Sequence, residues 1–214
     1  AAHGPMTRRH LSCLRWWQRL LRVEQSRDIP WEDSHFSDAP AVLVFTDAEG
    51  DGGAGAIVYP LLPRANQPRA YYTAGHVPVP WKRNLLGRKT QINVNEQAAV
   101  LLASGTFPDL LQGRRAIFYI DSMSALGTIV KGHSKRDDLN LYAGTTWQIL
   151  SKHGVTPHFL RVPSKQNPAD DPSRGRVAAL DADPSVEKRK ARWPPWASGL
   201  TTTVGEKCDM NFPG

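Results

Sequence analysis

Ala41–Pro60 reads AVLVFTDAEGDGGAGAIVYP. Apolar and β-prone residues run up to Thr46-Asp47. A turn rich in glycine follows (Gly50, Gly52, Gly53, Gly55), and Ala56–Tyr59 is apolar again. Two such runs around a glycine turn predict a β-hairpin. Asp47 ends the first strand, where a buried strand emerges from the interior. One reading makes it a cap for the turn, a common use of Asp. The other makes it part of a site at the strand end. Three carboxylates downstream favour the second reading.

Outward from this stretch, the next clear element is Thr90–Ser104 (TQINVNEQAAVLLAS). It predicts a helix from Glu96 onward that Gly105 ends. Ile92, Glu96, Ala99 and Ala103 share one face by helical spacing. Glu96 therefore lies on or beside an apolar face, where a carboxylate is costly unless paired or bound to a cation. Ala116–Asp121 (AIFYID) repeats the first strand's pattern, an apolar run closed by a carboxylate. Asp121 or Ser122 can cap the helix that Ser122–Lys131 predicts. Leu139–His153 predicts a further amphipathic helix, and Thr156–Val162 a last strand. In PSKQNPADDPSRG (163–175), Asn167-Pro168 suits a helix start, with Asn as cap and Pro at the first helical position. Asp170 then falls in the first turn, where the helix dipole also favours an acid. A strand near Arg69–Thr73 completes a mixed sheet with helices around it. The expected fold class is α/β or α+β.

The flanks differ in character. Leu11–Val23 (LSCLRWWQRLLRV) has Leu14, Trp17 and Leu21 at helical spacing, with Cys13 and Leu20 beside them and arginines around the rest. Gln25–Pro40 reads as a linker, and Val77–Lys89 as a basic loop. A short helix to about Leu180 is expected after Gly175. The run KRKAR (188–192) and the Pro- and Trp-containing remainder read as a flexible or peripherally docked tail. The run could touch nucleic acid, or be a solvated charge run. The expected organisation is a helix and linker over 1–40, a domain over 41–180 and a basic tail over 181–214.

The 214 residues suit one domain with appendages. The net charge is +7, which favours a polyanionic partner without specifying a fold. Two cysteines, near opposite ends, argue against a disulfide framework and a cysteine zinc site. They fit a reducing, intracellular setting, cytoplasmic or nuclear. No apolar run approaches a membrane span, so no membrane partner is expected. The first residues show no signal-peptide pattern, and the absence of an initial Met reads like a segment of a longer polypeptide.

Asp47, Glu96, Asp121 and Asp170 brought together would repel one another and resist ionisation. A pair of divalent cations removes that penalty, and oxygen ligands suit Mg²⁺ or Mn²⁺. Two such ions about 4 Å apart support phosphoryl chemistry.

The order Asp, Glu, Asp, Asp on these elements resembles the ribonuclease H (RNase H) fold and its active site. The resemblance is carried by VFTDAEGDGGAGAIV, QINVNEQAAVLLA, AIFYIDSMSAL and VPSKQNPADDPSRG, and spans about residues 11–176. The last stretch resembles the closing motif of RNase H domains attached to retroelement reverse transcriptases. INVNE and LRWWQRLL look most like the tyrosine-recombinase (DIRS-like) group, in which a tryptophan-containing helix joins polymerase to RNase H. The resemblance implies a mixed five-stranded sheet, three antiparallel strands and then parallel ones. It implies an endoribonuclease that cuts the RNA strand of RNA/DNA hybrids with two Mg²⁺ or Mn²⁺ ions, partnered by a reverse transcriptase polymerase domain. Asp47, Glu96, Asp121 and Asp170 become the metal ligands, with Asp170 preferred to Asp171 for its spacing to Ser173-Arg174.

Hybrid recognition requires contact with RNA 2′-hydroxyls. The candidates are Glu49 and Gly50 in the glycine turn, Asn95 and Gln97 beside Glu96, and Ser122, Lys165, Asn167 and Arg174. Lysines and arginines of 82–89 and 131–136 are candidates for phosphate contact. Cellular RNases H carry a histidine some ten residues before the last aspartate. Here Val162-Pro163-Ser164-Lys165 has none, and Ser164 or Lys165 takes its place. Two other functions compete: a non-catalytic module of the same fold, and a 3′–5′ exonuclease, whose opening Asp-x-Glu pair Asp47-Ala48-Glu49 matches.

Overall fold

The computed structural model describes residues 41–61, 66–83 and 91–194. Strands β1 (Ala41–Ala48), β2 (Gly53–Pro60) and β3 (Ala70–His76) lead to the short helix α1 (Val79–Arg83). The long helix α2 (Ile92–Thr106) and the turn-length α3 (Pro108–Leu111) precede β4 (Arg115–Ile120). Then come α4 (Met123–Lys131), α5 (Asp137–Lys152), β5 (Thr156–Arg161), a 3-10 turn (Ser164–Gln166), α6 (Asp170–Ser173), α7 (Ala178–Asp181) and β6 (Val186–Lys188). The expected helix over 11–23, the linker after it and the end of the tail lie outside the described residues, as do residues 84–89 of the expected basic loop; Val79–Arg83 of that stretch is a helix, not a loop.

The six strands form one sheet in the order β5-β4-β1-β2-β3-β6. β1, β2 and β3 are antiparallel neighbours, and β4 and β5 run parallel to β1. This is the mixed α/β sheet that the resemblance implies, with a sixth strand added parallel to β3. Val42, Val44, Val58, Tyr71, Ala116 and Phe118 point from one face into the main core, against Val100, Ala103, Phe107 and Ile129 of the helical layer. Alternating burial along β1 and β4 reflects the two-residue period of a strand.

α2 is buried nearly all round. The sheet covers one side, α5 another, and residues 191–193 a third. The helix also runs through Gly105 to Thr106 instead of stopping at the glycine. A side chain at Gly105 would strike the carbonyl of Arg192 and the ring of Pro194, so this glycine serves close packing.

The KRKAR run is tied to the domain mainly through Arg189, while Lys188, Lys190 and Arg192 stay exposed. Arg189 pairs with Asp109 at 2.7 Å and with Glu187 at 3.1 Å, and its guanidinium lies 4.6 Å from the centre of the Tyr71 ring. Lys188 pairs with Asp181, and Trp193 packs edge-on against Trp81 at 5.0 Å. The expected helix start at Asn167-Pro168 is also displaced. Asn167 Oδ1 accepts from the Ala169 amide, and the helix proper begins at Asp170. Among the described residues no helix is long and apolar enough to cross a membrane.

Candidate active site

The parallel pairing of β1 with β4 sets Thr46 opposite Ile120. The next residue on each strand is an aspartate, so Asp47 and Asp121 emerge side by side at the same end of the sheet. α2 crosses β1 and β2 and delivers Glu96 to the same place. One carboxylate oxygen from each of Asp47, Glu96 and Asp121 lies within 4.8 Å of the others. Asp47 and Glu96 are buried, and Asp121 is half-buried at the mouth.

Burial shapes the electrostatics of this cluster. Glu96 is pushed up to about 9, first by burial and then by the charges of Asp121 and Asp47, while a backbone hydrogen bond from Ala48 works the other way. Asp47 is raised to about 6 by burial, with Asp121 and Asp170 adding repulsion; the Ser173 hydroxyl and Arg174 oppose the rise. Glu96 Oε2 is buried with no hydrogen-bond partner among the described residues. Three converging oxygen donors, one of them without a partner, fit a hard divalent cation.

Asp170 stands beside this cluster, outside the group of three. Its carboxylate accepts from Arg174 Nε at 2.8 Å and from Arg176 at 2.6 Å. Its neighbour Asp171 is more exposed and pairs with Arg176 at 2.8 Å. Arg174 also reaches Glu49 at 3.0 Å and so ties the β1–β2 turn to α6. Asp170's charge acts on Asp47, an effect not found for Asp171.

Two features hold α6 against the sheet. A side chain at Gly53 or Gly55 would collide with the backbone of Pro172 and Ser173, so the glycines of β2 admit α6 to contact distance. The Asn167 side chain donates to the Thr46 carbonyl at 2.9 Å, and Ser173 Oγ donates to Asp47 Oδ2 at 2.5 Å.

The expected substrate contacts divide by burial. Asn95, Gln97 and Asn167, expected at the substrate, are buried. Asn95 donates to the Glu49 and Gly50 carbonyls and braces the glycine turn from beneath. A helix covered on three sides buries its amides as well as its apolar residues. Ser122 caps α4, accepting from the Ala125 amide at 3.2 Å, and donates to Asn93. Glu49, Gly50, Lys165 and Arg174 keep exposed or half-exposed positions around the mouth.

Ser164, in the loop that lacks a histidine, donates to Asp121 Oδ2 at 2.8 Å. Ser173 and Arg176 were missed as site partners. Their only signal was adjacency to Asp170 in DDPSRGR (170–176).

No family model and no curated protein matches the chain. Among solved structures, the RNase H1 of the halophilic archaeon Halobacterium salinarum is similar at 15% identity and a TM-score of 0.46, over 65% of this chain and 98% of that one. The N-terminal RNase H domain of a Mycobacterium tuberculosis protein is similar at 19% identity and a TM-score of 0.44, over 66% and 96%. LC11-RNase H1, solved with an RNA/DNA hybrid, is similar at 16% identity and a TM-score of 0.43, over 66% and 99%.

Proposed function

We propose that this chain is a metal-dependent endoribonuclease that hydrolyses the RNA strand of RNA/DNA hybrids, the RNase H part of a retroelement reverse transcriptase. The observation that carries the reading is the convergence of Asp47, Glu96 and Asp121 within 4.8 Å at the end of a parallel strand pair. Three carboxylates this close repel one another, and a divalent cation seated between them relieves that repulsion. Asp47, Glu96 and Asp121 would hold the ion, with Asp170 beside them. Mg²⁺ or Mn²⁺ bound there supplies charge neutralisation at the reacting phosphate and activation of a water.

The chain's own residues set up that chemistry. Ser173 keeps Asp47 oriented, and Ser164 does the same for Asp121. Glu49, Gly50, Ser122 and Lys165 lie where a hybrid backbone passes the mouth, and the net charge of +7 favours a polyanion. A polymerase domain of the same polyprotein is the expected partner.

Against the exonuclease reading, Glu49 is not one of the three converging carboxylates and pairs with Arg174. A hybrid-binding module without cleavage keeps one observation in its favour: two arginines already engage Asp170. Cleavage of labelled RNA/DNA hybrid in Mg²⁺ or Mn²⁺ separates them, run beside double-stranded DNA and single-stranded RNA. RNA cleavage confined to the hybrid and lost in Asp121→Asn is expected. Hybrid binding without cleavage in either metal would establish the module instead, and digestion of DNA from an end would restore the exonuclease.

A further inference from the structure

One face of the sheet carries the core, and the other is only partly covered. On the second face, residues 177–186 pack over the β2–β3 end, against Ile57 and Tyr72. Across the centre, no described helix lies over Leu43 and Phe45 of β1 or Ile117 and Tyr119 of β4. These side chains are half-buried, not enclosed. The register aligns them as a continuous surface: Leu43 beside Ile117, Phe45 beside Tyr119, and Tyr119 beside Leu160 of β5. The rings of Phe45 and Tyr119 stack at 4.6 Å, and Leu160 is 46% exposed. An apolar surface of this kind on a folded domain marks a contact.

The chain supplies an occupant of matching shape. Ala41, the first residue of β1, lies in the middle of this sheet and on this face. Upstream of it is the amphipathic segment Leu11–Val23, whose Leu14, Trp17 and Leu21 form one stripe. As a helix the segment is about 20 Å long. The four strands from β2 to β5 span about 14 Å. Residues 24–40 can reach about 55 Å when extended, far more than the crossing requires. The other end of the chain is badly placed for the role, because Arg192 and Pro194 lie against Gly105 of α2, on the opposite side of the sheet.

We propose that Leu11–Val23 docks as a helix on the open sheet face, setting Trp17 against the stacked rings of Phe45 and Tyr119. The segment then completes the domain's second layer, and its Arg15, Arg19 and Arg22 face outward. The proposal does not depend on the nuclease reading.

The native cysteines provide the test. Leu43→Cys and Leu160→Cys are made separately in the full chain, oxidised mildly, and the disulfides mapped by peptide mass. A bond from one of these positions to Cys13 of the same chain is expected, and it is lost when Trp17→Asp is added. A bond to Cys208, a disulfide-linked dimer, or no bond to Cys13 from either position would overturn the proposal. Trp17→Asp alone is expected to raise binding of an apolar dye several-fold by baring the face; unchanged dye binding would also overturn it.

Discussion

Two groups of acids sit side by side at one end of the sheet and live in opposite conditions. Asp47, Glu96 and Asp121 are gathered in or beside the interior, with no arginine or lysine of the described residues seated among them, and burial raises Asp47 and Glu96. Asp170, Asp171 and Glu49 are on the surface, each held by Arg174 or Arg176. The same side chain is an unmet demand for positive charge in one place and a neutralised tether in the other. What separates them is depth: a buried carboxylate cannot borrow water, and it protonates or takes a cation. The surface acids hold α6 in place, so the tethered group builds the wall against which the demanding group stands.

Glu96→Gln tests this contrast most severely. Calorimetric Mg²⁺ binding and hybrid cleavage are both expected to fall to background. Metal-free stability should move the other way. In the folded protein Glu96 protonates at about 9 against 4.5 ordinarily, so its contribution is fully present below pH 4.5 and is lost as pH rises to about 9. Asp47 adds the same slope between 3.8 and about 6. The metal-free protein is therefore expected to melt progressively lower from pH 5 to pH 9, and Glu96→Gln to remove most of that slope. Mg²⁺ binding should release protons and tighten over the same interval. A flat melting profile would mean that the cluster is not desolvated as described.

Gly55→Ala reaches the boundary between the two groups. The added methyl meets the Pro172–Ser173 backbone, so α6 must shift, at about 1–3 kcal/mol of overpacking strain. Denaturant titration should show the loss, with cleavage impaired beyond it because Asp170 and Ser173 move together. Ser173→Ala removes the hydroxyl that faces Asp47 Oδ2 and the Asp170 carbonyl, and a loss of about 1–2 kcal/mol is expected above pH 6, shrinking below it as Asp47 protonates. Arg176→Gln should do least, leaving the melting temperature unchanged within error, because its partners are solvated. A large effect there would show that the surface tether carries more of α6's position than its exposure allows.

Much of the fold and part of this contrast can be read from sequence. β1 and β4 read as apolar runs, each closed by an aspartate, so strand ends and site coincide in the residues themselves. Glu96 stood out as an acid on an apolar face. The rest depends on contacts remote in sequence. Asn95 and Gln97 look like surface residues, and only the covering of α2 on three sides turns them inward. Gly105 resembles a helix terminator until the segment near Arg192 is laid against it. The pairing of Arg174 and Arg176 with Asp170 follows from the tight turn after Ser173, which no periodicity records.

β6 has only three residues, yet it occupies the flank of β3 that would otherwise be open. Arg69 and Ala70 amides donate to Ser185, and the Arg189 amide donates to Tyr72. An open strand flank is a template on which copies of a chain add to one another. This short segment is thus a guard against association: a chain cut before Ser185 would present β3 as a sticky margin and bare the side of α2 that residues 191–193 cover, and should aggregate at concentrations where the 214-residue protein stays dispersed.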